Sequence, residues 1–151
     1  MSFGHKIMKI LGIDTERRKI GDKGEDTAAK FLKKHGYRIL ERNYVAHGYE
    51  IDIIAVKGDT VVFVEVKTRT VGECVREYRP ASAVTPEKQR KILKAAAAYK
   101  GYNPSDKKMR FDVIEVYIRK TEDGKDATDV KHLVGTFDRD TAYAKRFHTT
   151  K

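Results

Sequence analysis

The chain is poor in the residues that staple or anchor a protein. Cys74 is its only cysteine among 151 residues, so no internal disulfide and no thiolate metal cluster can form within one chain, and a reducing cytoplasm is the expected setting. Long apolar runs are also missing. Lys6 and Lys9 interrupt the only apolar stretch near the start, Ile7 to Leu11, and no segment approaches the ~20 apolar residues of a membrane span. Neither a secretion signal nor a membrane partner is therefore expected. There is no tryptophan, no internal repeat and no low-complexity tract.

What is abundant is positive charge. Lysine and arginine number 32 against 22 acids, a formal charge of +10 with a pI near 9.6. That balance favours a polyanionic partner, nucleic acid before an anionic membrane, although charge alone names no reaction. The length suits one domain, and 40% hydrophobic residues suffice for one modest core.

Periodicity divides the chain into a basic extension over residues 1–20, a single domain over 21–137 and a basic tail over 138–151. A helical stripe of Ala28, Ala29, Phe31 and Leu32 predicts a first helix from about Lys23 to His35, capped by Asp22 and ended by Gly36. Three strand-like runs follow, Tyr37 to Tyr44, Glu50 to Val56 and Thr60 to Thr68, which predict an antiparallel meander. Thr85, Pro86 and Glu87 open a second helix that should stop at Gly101. Arg110 to Ile118 reads as a fourth strand and Val130 to Thr136 as a short fifth. The order αβββαβ(β) predicts an α/β fold, a mixed central sheet flanked by helices.

The turn Gly58-Asp59 carries the most information, because it sets the register of the second and third strands. With Lys57 opposite Thr60, Asp52 should face Glu65 and Glu50 should face Lys67. Alternation then groups Glu50, Asp52, Ile54 and Val56 with Val61, Phe63, Glu65 and Lys67, and assigns Ile51, Ile53, Val62, Val64 and Val66 to a core face. Opposed side chains stand about 5 Å apart at Cβ, a spacing at which two carboxylates repel unless they share a cation. Acids and lysines on a sheet face can also be plain solvated surface, but two acids facing each other argue for a metal.

Glu25 shares the inward stripe of the first helix with Ala28, Ala29 and Leu32, where a charge needs a partner. An acid in a helix's first turn is an equally good explanation. Lys88 sits on the inward stripe of the second helix with Ile92, Ala95, Ala96 and Tyr99. It is expected to bind a phosphate, to pair with Glu50 or simply to snorkel. Arg76, Tyr78 and Arg79, between strand and helix, are candidates for backbone contacts and base stacking, with an ordinary solvated loop as the favoured account.

Asp52 followed by Glu65-Val66-Lys67 resembles the PD-(D/E)xK nuclease signature, and the element order resembles a restriction-endonuclease-like core. Gly21, Gly24-Glu25, Ala28, Leu32, Gly36-Tyr37, Arg42-Asn43, Glu50-Ile51-Asp52, the run Phe63 to Arg69 and Arg110-Phe111-Asp112-Val113 together resemble the bacterial YraN-like family of uncharacterised proteins. Tyr49 stands where that family usually carries glycine. The resemblance spans roughly Gly21 to Ile118. It implies a metal-dependent endonuclease acting on DNA, branched or damaged DNA by analogy, with Mg²⁺ or Mn²⁺ held by Asp52, Glu65, Glu25 and the Val66 carbonyl. Lys67 would orient or help deprotonate the attacking water and stabilise charge on the phosphate. Glu50, Lys88, Arg69, Arg76 and Arg79 would support the site or the nucleic acid. A noncatalytic nucleic-acid-binding protein that retains the fold is the rival reading, and a ribosome-associated factor ranks behind it. The sequence carries no signal for or against a homodimer.

Overall fold

The structure is a computed structural model that describes residues 15–71, 84–139 and 142, with side chains from residue 17. Among them lie two helices, α1 (Thr15–Lys34) and α2 (Pro86–Tyr102). Five strands accompany them: β1 (Arg38–Ala46), β2 (Tyr49–Lys57), β3 (Thr60–Val71), β4 (Lys108–Lys120) and β5 (Asp126–Phe137). The strands form one mixed sheet in the order β1-β2-β3-β4-β5. β1, β2 and β3 form the expected antiparallel meander, β3 and β4 run parallel, and β5 returns antiparallel to β4. A parallel pair needs a long crossover, and the stretch containing α2 supplies it.

Each helix covers one face. Ala28, Ala29 and Leu32 of α1 pack on Ile53, Ala55, Val62, Val64, Ile114, Val116 and Ile118. Ile92, Ala95, Ala96 and Tyr99 of α2 pack on Ile51, Ile54, Val56, Val61, Phe63, Phe111 and Val113 on the other. The strands are apolar on both sides because both sides are buried, as a partly parallel sheet requires. Phe63 meets Tyr99 edge to face, with ring centroids 5.9 Å apart, and stacks on Phe111 at 5.4 Å.

Helix α1 corrects the expected start of the first helix. It begins at Thr15, so Ile20 packs against the core on that side and Asp22 is an internal residue, not a cap. Three glycine and β-propensity cues hold: Gly36 ends the helix in the left-handed region at φ 86°, Gly58 turns at φ 59°, and Lys57 lies opposite Thr60. Thr85 caps α2, its hydroxyl accepting from the Lys88 amide. The helix passes Gly101 by one residue.

Glycine has a different use at position 24. A Cβ there would lie 1.8 Å from Thr68 Oγ1 and 2.8 Å from Thr68 Cβ. Helix α1 and strand β3 therefore touch backbone to side chain at this point, one residue before Glu25 and one after Lys67.

On β4, Asp112 is 1% exposed and accepts from Arg110 Nε at 2.9 Å and Nη2 at 2.8 Å, and from the Gly135 amide at 2.9 Å. His132 Nε2 lies 2.7 Å from the same carboxylate. Burial pushes the Asp112 carboxyl up, but the His132, Arg110 and Gly135 bonds outweigh it and leave it below the ordinary carboxylate range. The Arg110-Phe111-Asp112 motif thus ties β5 to β4 across the irregular register between Phe111 and Val113.

Candidate active site

The β2–β3 ladder follows the expected register from Lys57↔Thr60 to Ile53↔Val64 and ends there. The next position, where Asp52 was expected opposite Glu65, is not a ladder pair. Instead the Asp52 carboxylate accepts the Val66 backbone N–H at 2.7 Å, taking the place of a strand carbonyl. Val66 thus enters the site through its amide.

Strict alternation also fails at Asp52. Ile51 and Ile54 both join the cluster under α2, whereas alternation places them on opposite faces. The cause lies on the neighbouring strand, where Asn43 has φ 54° between the pairs Arg42↔Ile53 and Tyr44↔Ile51. Its left-handed backbone lets Arg42 reach Glu25 and Asp26 on α1, at 3.8 and 2.8 Å, while Tyr44 meets Tyr99 of α2. The same twist lets Asn43 Nδ2 donate to Glu25 Oε2 at 3.2 Å.

Three carboxylates converge as a result. Oxygens of Glu25, Glu50 and Asp52 all lie within 4.8 Å of one another. Glu25 belongs to the middle of α1, so the helix-start explanation for its charge fails. Burial, then Glu50, pushes its carboxyl up to about 7, with Arg42 opposing. Asp52 is pushed well above its ordinary value by burial and then by Glu65, with the Val66 N–H pulling the other way. Glu65 is therefore close enough to be felt, but its oxygens are engaged: Lys88 Nζ lies 2.6 Å from one and the Tyr49 hydroxyl donates to the other at 3.1 Å. Lys88 pairs with Glu65, not with Glu50 as one alternative had it.

Lys67 completes the row on β3. Burial and then the nearby Lys88 push its ammonium below the ordinary lysine value, while Glu65 opposes the change. Across the parallel ladder it lies beside Glu115, which is 1% exposed and accepts from the Tyr117 hydroxyl at 2.6 Å. Arg69, two residues on, is half-buried. Arg76, Tyr78 and Arg79, with Cys74, lie outside the described residues.

Sequence reasoning gave Glu50 only a supporting place and gave Asn43, Tyr49 and Glu115 none of their own. Asn43 and Tyr49 left a trace, as part of a motif and as a departure from it. Glu115 left none, because its neighbour Lys67 is 48 positions away through a crossover.

Fold and site together define an α/β protein whose mixed sheet carries a carboxylate cluster and a lysine where two strands part. Comparison with known proteins gives the family. Residues 24–116 match the uncharacterised protein family UPF0102, and the chain belongs to it, in keeping with the YraN-like resemblance. A UPF0102 protein of Chlorobium phaeobacteroides is 42% identical over 120 residues, 78% of this chain and 92% of its own length. One from Geobacter sulfurreducens is 46% identical over 123 residues, 79% and 88% of the two chains. One from Caldicellulosiruptor saccharolyticus is 40% identical over 117 residues, 77% and 97%. Among the described residues no helix is long and apolar enough to cross a membrane.

Proposed function

We propose that this chain is a metal-dependent endonuclease of the PD-(D/E)xK type, with a restriction-endonuclease-like core, that hydrolyses DNA phosphodiester bonds. The observation that carries the reading is the convergence of Glu25, Glu50 and Asp52 beside Glu65 at the parting of β2 and β3. Clustered carboxylates repel, and the raised Glu25 and Asp52 carboxyls register that repulsion together with burial. An all-oxygen donor set suits Mg²⁺ or Mn²⁺. Glu25, Glu50 and Asp52 would hold the ion, with Glu65 joining on release from Lys88. When bound, it supplies positive charge against the charge that develops on the phosphate.

The protein's own groups do the rest. The Val66 amide fixes the Asp52 carboxylate, and Asn43 with Arg42 fixes Glu25. Lys67 stands beside the acids with an ammonium that gives up its proton more readily than usual, which fits it to orient the attacking water and to donate to a phosphate oxygen. Lys88 adds a second cation at the same point.

A noncatalytic nucleic-acid binder is the alternative, and the closed Lys88–Glu65–Tyr49 arrangement is what favours it. Cleavage of linear, nicked, flapped and four-way DNA with Mg²⁺ or Mn²⁺, run beside a binding assay at two salt concentrations, separates the two. Binding should weaken steeply with salt through counterion release. Lys67→Ala should abolish cleavage and change affinity less than about twofold, because most affinity comes from contacts spread over the surface. Asp52→Asn should also abolish cleavage and tighten binding in the absence of metal. A wild-type protein that binds these DNAs and cuts none, with both variants indistinguishable from it, overturns the catalytic reading.

A further inference from the structure

Beyond the carboxylates, on the same end of the sheet, lies a cleft of about 250 Å³ between α1 and the ends of β3 and β4 and the start of β5. Its lining includes Lys19, Lys23, Arg119 and Lys120 against one carboxylate, Asp126. Lys23 and Lys120 both pair with Asp126, the latter at 2.6 Å. Arg119 reaches Asp129 at 3.3 Å, but both side chains are more than half exposed, so the pair is weak. Lys19 has no ion-pair partner among the described residues. The floor is apolar, with Ile20, Val71 and Ile118, and such a surface strengthens the field of the cations above it.

The cleft's position gives it meaning. Lys23 and Glu25 project from opposite sides of α1, Lys23 to Asp126 on β5 and Glu25 to Asn43 on β1. Glu50 and Asp52 open β2 where Thr70 and Val71 close β3 and Arg119 and Lys120 close β4, so carboxylates and cations share one end of the sheet. β2 and β4 are two strand spacings apart, about 10 Å, and Arg119 lies five residues past Ile114, the β4 residue level with Val66 and so with Asp52, which adds about 16 Å along the strands and makes the separation about 19 Å. A nucleic-acid strand covers that span in about six nucleotides at a rise of about 3.4 Å each.

We propose that Lys19, Lys23, Arg119 and Lys120 form a backbone-phosphate site that holds the nucleic-acid strand about six nucleotides from the carboxylate cluster. The inference rests on the nucleic-acid reading above and adds the path of the strand across the protein. Asp126 acts as a placeholder: it holds Lys23 and Lys120 in position until phosphate oxygens compete for them.

The test is fluorescence anisotropy of a labelled oligonucleotide, single-stranded and duplex, in EDTA so that nothing is cut. Lys19→Ala combined with Arg119→Ala should weaken binding at least about tenfold near 100 mM salt and lower the slope of log affinity against log salt by about two. Lys33→Ala with Lys34→Ala, the same charge change at the far end of α1, should leave both unchanged. Asp126→Asn removes the competing carboxylate and should tighten binding, a gain that a misfolded protein does not give. Inorganic phosphate titrated alone should bind at least about a hundredfold more weakly than the oligonucleotide. Unchanged affinity and slope in the double variant, an equal loss in the control, or weaker binding by Asp126→Asn overturns the site, as does phosphate binding as well as the oligonucleotide does. Cleavage by the wild-type protein with an unaltered double variant would sink this site alone; absent cleavage with a weakened double variant would sink the catalytic reading alone.

Discussion

Glu25 should make this protein less stable as the pH rises through the weakly acid range. Its carboxyl titrates near 7 in the folded chain against an ordinary value of 4.5. Below about 4.5 it is protonated both folded and unfolded. Between 4.5 and 7 the unfolded chain releases the proton and the folded chain keeps it, so the unfolded state gains with each step in pH; above 7 the loss is complete. At ~1.4 kcal/mol per pH unit the gap corresponds to about 3 kcal/mol, which solvent around this partly exposed group reduces to about 1–2 kcal/mol. Glu25→Gln cannot titrate. Urea unfolding of both proteins in EDTA at intervals from pH 4.5 to 8 should show the wild type losing about 1–2 kcal/mol relative to the variant. Asp52 titrates in both proteins, and since Glu25 is one of the charges that raise it, the difference reports Glu25 together with the part of the Asp52 shift that Glu25 causes, which has the same sign. Adding Mn²⁺ at pH 8 should restore the wild type more than the variant, since only the folded site collects the ligands. A difference that is flat across the range, or equal stabilisation of both proteins by the ion, would refute the reasoning.

Two further outcomes follow from contacts near the site. Gly24→Ala places a methyl 2.8 Å from Thr68 Cβ, an atom that rotation cannot move, and should cost about 1–3 kcal/mol in denaturant unfolding, as overpacking does; a change below about 0.5 kcal/mol would mean that α1 lifts off β3 freely. Lys88→Met frees Glu65 from its ion pair and should tighten Mn²⁺ binding several-fold by calorimetry; unchanged or weaker binding would show that Glu65 takes no part in holding the ion.

Local signals in the sequence served where the interaction is local. The Gly58-Asp59 turn placed Lys57 against Thr60 and carried the register correctly to Ile53 and Val64, because a two-residue turn leaves the following pairs no freedom. Thr85 and Pro86 marked the start of α2 for the same reason. The register stopped being informative at Asp52, where a left-handed residue on β1 redirects the neighbouring side chains; Asn43 can adopt that conformation, but nothing within its own strand says that it must. Glu25 was placed on the correct stripe of α1 and yet beside the wrong end of the helix, since the turns before Lys23 are too polar to announce themselves by periodicity. The pairing of Lys88 with Glu65 and of Lys67 beside Glu115 depends on how α2 returns to the sheet and on the β3–β4 register, both set by long-range packing.

The early end of the β2–β3 ladder divides the cluster into two mechanical classes. On β3, Phe63 and Val64 are buried on both faces and the strand lies between neighbours on both edges, so their amides should exchange with solvent only when the whole domain unfolds. Glu65 and Lys67 extend from that frame. Glu50 and Asp52 lie past the last β2–β3 pair, where β1 still pairs with the strand but the links to β3 are side-chain bonds, Asp52 to the Val66 amide and Tyr49 to Glu65, so small openings cost less than in the ladder. One half of the cluster is therefore a fixed jaw and the other a compliant one. Were the ion of the proposed reading to bind, such a site would fit its oxygen spacing to the ion's radius by small shifts of β2 within the reach of those two bonds, while β3 stays fixed in the core.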